Sequence, residues 1–574
     1  MARPRRRYDA AVTTPRSAFA IALAAAVALS ACATPPAPAP APPFDVVEAS
    51  IPDMQAAMRE GRTTSQAIVT QYLTRIGLYE DTLNAAVSVN PNALAEAAAL
   101  DRERAAGKVR GPLHGIPVAL KDNVLTTDAM PTTGGMLAFR HYRAPYEATL
   151  ATRLKDAGAI VIAKSTMSEL AGWFGDAFRP GGYNAAVGQS YNPYDPRANE
   201  DGTPVLETSG SSSGGGVAAN LWAGSVGTST GGSIEGPSNA TMLVGIRPST
   251  GRISRHGIIP LTLDQDTAGP MTKFVADAAI MLGVMEGADP QDDRTSECTP
   301  PPGNDYTPFL KADALKGLRI GIPRAGIYEA REFPGRARPF PGLKADELAS
   351  MEEAIAAIRA AGAEVVDPVE LPSLVAPRAA DNITSHVICE APFTGPAAED
   401  FCSHVLRYGM KRDFNLWLAT LGASAPVKSL AELRQWNLAN RDRGSMRYGQ
   451  GRLDFADAVD LERDRARYER DRREDLRLTR DEGLDAALNA HKLDALLFPA
   501  SSGSNYATKA GYPVIVVPFG MVVNAAEGAR GSEDRTRPFG VSFVGAHCQD
   551  PKLVGIAYAF EQATKRRVAP PAFP

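Results

Sequence analysis

The chain has 574 residues, 44% of them hydrophobic and 22% charged, and a formal net charge of -4. That much apolar material supports a large globular core and excludes a disordered or fibrous protein. Lys and Arg are spread along the chain with no basic stripe beside aromatics, so the footprint of a nucleic-acid binder is missing and a small substrate is indicated.

The N-terminal stretch reads as an address. Arg3 and Arg5 to Arg7 make a positive segment, Ala18 to Leu29 an apolar run, and small residues follow. The run is shorter than the ~20 apolar residues that a bilayer crossing needs, which favours a signal peptide over residues 1–31 rather than a permanent anchor. Leu29-Ser30-Ala31-Cys32 resembles the lipobox of bacterial lipoproteins, in which the cysteine becomes the lipidated first residue. Residues 33–43, ATPPAPAPAPP, then form a stiff tether. The expectation is a cell-envelope protein held to a membrane by Cys32, in the outer membrane because no aspartate follows the cysteine, with one large globular domain over 45–574.

Thr64 or Ser65 can cap a helix in which Ile68, Tyr72, Leu73 and Ile76 share a face. A second helix is expected over 92–106. GIPVALKDNV at 115–124 has the apolar density of a buried strand, and 151–165 reads as helix, glycine stop, strand. The same order recurs with GLRIGIP at 317–323, a helix carrying Met351, Ile355 and Ile358, a stop at Gly362, and the strand AEVVD. DALLFPA at 494–500 and PVIVVPFG at 513–520 read as late strands. This alternation predicts an α/β fold: a single large, mixed, mostly parallel sheet with helices on both faces. Residues 431–490, inside a helical insertion at about 400–490, read as a long charged helical stretch with a solvated face. Of the cysteines after Cys32, Cys389 and Cys402 are nearest in sequence, and both a disulfide and burial as free thiols are open.

The segment 208–233, TSGSSSGGGVAANLWAGSVGTSTGGS, is dense in glycine and serine like a linker, yet Val217, Leu221, Trp222 and Val226 sit inside it. It therefore reads as packed structure flanked by glycine loops whose amides can converge on an anion. A phosphate cradle would need a Lys-Ser/Thr pair or a GxGxxG fingerprint, both absent, which leaves an oxyanion hole. A serine nucleophile also needs a base. There are seven histidines but no GxSxG elbow, and a buried lysine can serve instead. Lys121, directly after Ile116 to Leu120, is the candidate, against the ordinary reading of a solvated head group at a strand end.

GPLHGIPVALKDNV, GSSSGGG, GTSTGGSI and GIIPLTLDQDTAGPM, in this order, resemble the amidase signature family, as do AGYPVIVVPFG and RPFGVSFVG near the end. RYGQGRL is similar to members that hydrolyse peptide amides. The resemblance implies an amidase that cleaves linear carbon–nitrogen bonds through an acyl-enzyme, without metal or cofactor, on a small amide or short peptide amide. It implies Lys121 as base, Ser233 as nucleophile, Ser211 as the bridging serine after a cis peptide bond, and the amides of Thr230, Gly231, Gly232 and Ser233 as the oxyanion hole. Matching the serine loop gives Ser211, whereas counting back from Ser233 gives Ser209. A gap of about two residues inside a helix would rotate Val217 and Leu221 by ~200° off their face, so the shortening is expected at Gly214 to Gly216. Two further departures concern charge: Ser229 stands where the family has an acidic residue, and Glu235 where arginine or an apolar residue is commoner. Alternative readings are a catalytically silent amide- or peptide-binding lipoprotein and a glutaminase-like component of a transamidation complex, the latter at odds with export.

Overall fold

Thr64 caps the helix Ser65–Leu83 by accepting from the Ala67 amide at 3.1 Å, and Ile68, Tyr72 and Ile76 are buried along one side, as a 3.6-residue spacing requires. The helix Thr149–Asp156 stops at Gly158, whose φ of +83° and missing Cβ admit the close approach of His114. These elements come from a computed structural model, which describes residues 44–176, 180–208, 213–334, 339–389, 402–523 and 536–574. The signal segment, Cys32 and the tether lie outside the described residues, as do Ser209, Ser211 and Ser212. Among the described residues no helix is long and apolar enough to cross a membrane.

Eleven strands form one sheet. In chain order they are β1 (Ala86–Val89), β2 (Pro117–Lys121), β3 (Ile160–Ser165), β4 (Gly224–Ser229), β5 (Val244–Arg247) and β6 (Thr267–Thr272), then β7 (Arg319–Gly321), β8 (Glu364–Val366), β9 (Ala495–Pro499), β10 (Val514–Val523) and β11 (Thr536–Val544). Their spatial order is β1-β3-β2-β4-β6-β5-β10-β11-β9-β7-β8. The parallel pairings expected from alternating helices and strands are gathered in two blocks, β3-β2-β4 and β9-β7-β8. Antiparallel neighbours join the two blocks. Strands β2, β3, β4 and β6 are buried along their whole length, so any polar side chain on them is desolvated and needs a partner.

The glycine run is not a linker. Residues 213–218 form a buried helical turn, and a Cβ on Gly216 would lie 2.0 Å from the Trp222 ring. The charged stretch is helical, as expected, but divided into several segments. Helices Leu430–Ala439, Gly451–Asp457 and Arg465–Leu476 are separate, with left-handed Gly444 and Gly449 between the first two. A π-helical segment over Arg477–Leu484 leads into Asp485–Ala490. Nor is its charge all solvated: Asp471 and Asp475 turn inward to the His404 amide and the Ser403 hydroxyl. This region covers a second core of Phe139, Trp173, Phe174, Phe414 and Trp417 beside the main one. Cys389 is bonded to Cys402, which removes the free-thiol reading for that pair, and Cys298 is bonded to Cys548.

Candidate active site

Strand β2 delivers Lys121 into the interior, where it is wholly buried and its Nζ donates to the Thr228 carbonyl at 3.0 Å. Burial lowers its pKa from 10.5 to about 7, against the opposing pull of the Asp266 and Glu235 carboxylates. A lysine so placed is neutral for a large part of the time near neutrality and can accept a proton. In the parallel register of β2 and β3, Lys121 lies opposite Ser165, whose Oγ donates to the Ser213 Oγ at 2.9 Å. Ser213, the last serine of the run, is thereby held against β3, the neighbour of the lysine's strand.

Strand β4 runs alongside β2 and carries the chain to the second glycine pair. There Thr230 Oγ1 donates to Asp266, and Gln265 Nε2 donates to the Thr230 carbonyl at 3.2 Å. The Gly232 amide donates to Ser229 Oγ at 3.1 Å, and Ser229 Oγ donates in turn to Glu235 Oε2 at 2.9 Å. Gly232 adopts a φ of +110°, and a Cβ there would meet Ser504 Oγ at 3.0 Å, so the turn requires glycine. The turn feeds the short helix Glu235–Ala240 and leaves Gly231 exposed and Gly232 and Ser233 half-buried, while Thr230 and Ile234 are buried. Of the four expected oxyanion donors, the Gly232 amide is taken by Ser229, whereas the amides of Thr230, Gly231 and Ser233 have no protein acceptor among the described residues.

Sequence reasoning missed a second buried lysine. Lys164 on β3 donates to Thr132 Oγ1 at 2.7 Å and to the Val124 carbonyl, beside the buried Asp122 carboxylate, and burial brings its pKa to about 8. Its sequence context, IVIAKS, differs little from VALK, and only the surrounding acceptors separate a structural lysine from an available one. Two of the histidines are occupied elsewhere: His114 Nε2 sits 3.0 Å from the Leu100 carbonyl, and His256 stacks on Tyr146. Asn123, two residues after Lys121, was also missed. Its Nδ2 donates to Thr228 Oγ1 at 3.0 Å and fixes the same backbone that receives the lysine.

A cavity of about 780 Å³ opens at Gly231, with Ile327, Phe333, Phe340 and Phe539 among its walls and His386 and Arg537 at its polar side. It is mostly apolar, large enough for a small organic ligand, and borders the loop that carries Ser233.

Residues 67–554 match the family model described as Amidase. The chain belongs to the amidase family. The solved structure of the native peptide amidase from Stenotrophomonas maltophilia is 36% identical and superposes with a TM-score of 0.76, covering 92% of this chain and 99% of that one. A solved amidase family protein from Bacillus anthracis is 31% identical, with a TM-score of 0.74 over 92% of each chain. A protein of Arabidopsis thaliana named as a probable amidase is 32% identical over 538 residues, again 92% of each chain. With this membership, the amidase is a hydrolase of carbon–nitrogen bonds in linear amides.

Proposed function

We propose that this amidase works through an acyl-enzyme on Ser233, with Lys121 as the base. The observation that carries the reading is the wholly buried Lys121, its pKa brought to about 7, bonded to Thr228 on the strand that ends at the nucleophile loop. Neutral Lys121 takes a proton from a bridging serine, which takes the proton of Ser233 as its Oγ attacks the amide carbon. The carbonyl electron pair moves to oxygen, which the Gly231 and Ser233 amides stabilise. The tetrahedral adduct collapses, the C–N bond breaks, and the relayed proton goes back to the departing amine. Water then repeats the attack on the ester and frees the carboxylic acid. The resemblance assigns the bridge to Ser211, and the hydrogen bond from Ser165, opposite Lys121, to Ser213 two residues further on supports that assignment.

The substrate we assign is a primary amide of a short peptide or a similar arylalkyl acid. The aromatic-lined cavity beside Gly231 supports this, as does similarity to a peptide amidase. The same reading places the protein in the cell envelope on a lipid attached to Cys32, and two disulfides suit an oxidising compartment. A panel of aliphatic, aryl and peptide amides, assayed for ammonia release, tests the assignment. Release from peptide amides is expected, and hydrolysis confined to short aliphatic amides would sink the substrate reading.

A further inference from the structure

The two departures from the family pattern in the nucleophile loop, Ser229 and Glu235, touch each other. Ser229 Oγ is the sole acceptor of the Gly232 amide among the described residues, and its own proton goes to Glu235 Oε2 at 2.9 Å. The same oxygen accepts from the Ile234 amide at 3.2 Å. One carboxylate thus holds both flanks of Ser233, directly at Ile234 and through a hydroxyl at Gly232. Glu235 is itself wholly buried. Its second oxygen, Oε1, makes no hydrogen bond and faces the Nε of Arg247 on β5 at 3.8 Å, with both side chains fully enclosed. Arg247 reaches the loop a second way, donating to the Gln265 carbonyl at 2.8 Å while Gln265 holds Thr230.

We propose that Glu235 is the positioning residue of the nucleophile loop in this amidase, acting at the Gly232 amide through Ser229 and at the Ile234 amide directly. An acidic side chain at 229 would reach the Gly232 amide directly. A serine there is too short and uncharged to do the same alone, and Glu235 completes it. The inference rests on Ser233 being the nucleophile. The charged groups that face Glu235 are Arg247 from β5 and Lys121 from β2, and Asp266, just before β6, acts on both of these cations. Burial raises the Glu235 pKa and Arg247 opposes the rise; the carboxyl fixes the inward turn of Gly232, which leaves the Gly231 and Ser233 amides without a protein acceptor among the described residues, and when ionised it favours the protonated form of Lys121.

The test uses the wild type, Glu235→Gln, Ser229→Asp and the double variant Ser229→Asp/Glu235→Gln. Steady-state kinetics on one carboxamide are measured from about pH 6 to 9, together with the rate of labelling by a fluorophosphonate. Glu235→Gln is expected to lower kcat by ~100-fold with KM within about threefold, the loss typical of a misplaced loop. Its acid limb should move to lower pH, because the negative charge that stabilised the Lys121 ammonium is gone; a purely structural role would leave the limb in place. Ser229→Asp should be worse, since two carboxylates would share one buried site. The double variant moves the carboxylate to position 229 and should recover kcat to within about tenfold of the wild type, a coupling far from additive. Wild-type kcat and acid limb in Glu235→Gln, or a double variant no faster than Glu235→Gln, would overturn the proposal. Should Glu235→Gln not fold, Ser229→Ala decides: an unchanged kcat refutes the relay, and a loss of ~10-fold or more supports it. Failure of the underlying reading shows separately, as a wild-type enzyme whose label is not on Ser233.

Discussion

Replacing Lys121 by methionine is expected to abolish turnover and to stabilise the folded protein in the same step. A pKa brought from 10.5 to about 7 by burial corresponds to ~5 kcal/mol of preference for the neutral form, at ~1.36 kcal/mol per tenfold. Methionine fills nearly the same volume with no charge to desolvate, but it leaves the Thr228 carbonyl without its donor, a loss of ~1–3 kcal/mol. The expected net gain is ~2 kcal/mol at pH 7. The sign with pH follows from proton counting. The unfolded chain keeps this lysine protonated up to about 10.5 and the native chain only up to about 7, so across that window the unfolded state binds more protons and wild-type stability rises with pH. The advantage of Lys121→Met is therefore full below about pH 7 and shrinks toward pH 10. Urea unfolding of wild type and variant near pH 7 and pH 9.5 measures it, alongside amide hydrolysis. A variant less stable than wild type at both pH values, or one that keeps its activity, would refute the reasoning.

Wild-type kcat should rise about tenfold per pH unit below about pH 7 and level off above it, because Lys121 must lose its proton to act; a rate that falls over this range contradicts a lysine base. Alanine at Ser209, Ser211, Ser212 and Ser213 in turn, assayed on one amide, is expected to single out Ser211 with a loss approaching that of Ser233→Ala, while a collapse only at Ser209 would favour the spacing argument. No alanine at His114, His256 or His386 should match the loss in Lys121→Met, as kinetic comparison of the three will show. Removing the Cys389–Cys402 bridge, whose partners are 13 residues apart, should lower stability by about 3 kcal/mol in a denaturant titration.

What could be read from the sequence was what local pattern determines. The Thr64 cap, the glycine stop at Gly158 and the apolar strands of β2, β3, β9 and β10 follow from capping, left-handed backbone and burial over short distances. The antiparallel middle of the sheet was not legible, because nothing local in β5 or β6 states which neighbour it will take across a long loop. The same holds at the site. Lys121 stood out as a lysine where apolar density forbids one, yet Lys164 met the same description and only its acceptors at Thr132 and Val124 set it apart. The four amides expected around an oxyanion could not be ranked from GTSTGGS, since the inward turn of Gly232 depends on Ser229 and on a glutamate that looks, in sequence, like a misplaced charge. The divisions within the helical stretch over 431–490 had their signal in the left-handed Gly444 and Gly449.

The central claim is that Ser233 forms a covalent intermediate after activation by Lys121, and the most direct test is peptide mapping by mass spectrometry after exposure to a fluorophosphonate. A single adduct on Ser233 is expected in the wild type, none in Ser233→Ala, and labelling slowed by ~100-fold or more in Lys121→Met. An adduct on another residue, or equal labelling of Ser233→Ala and wild type, would contradict the account.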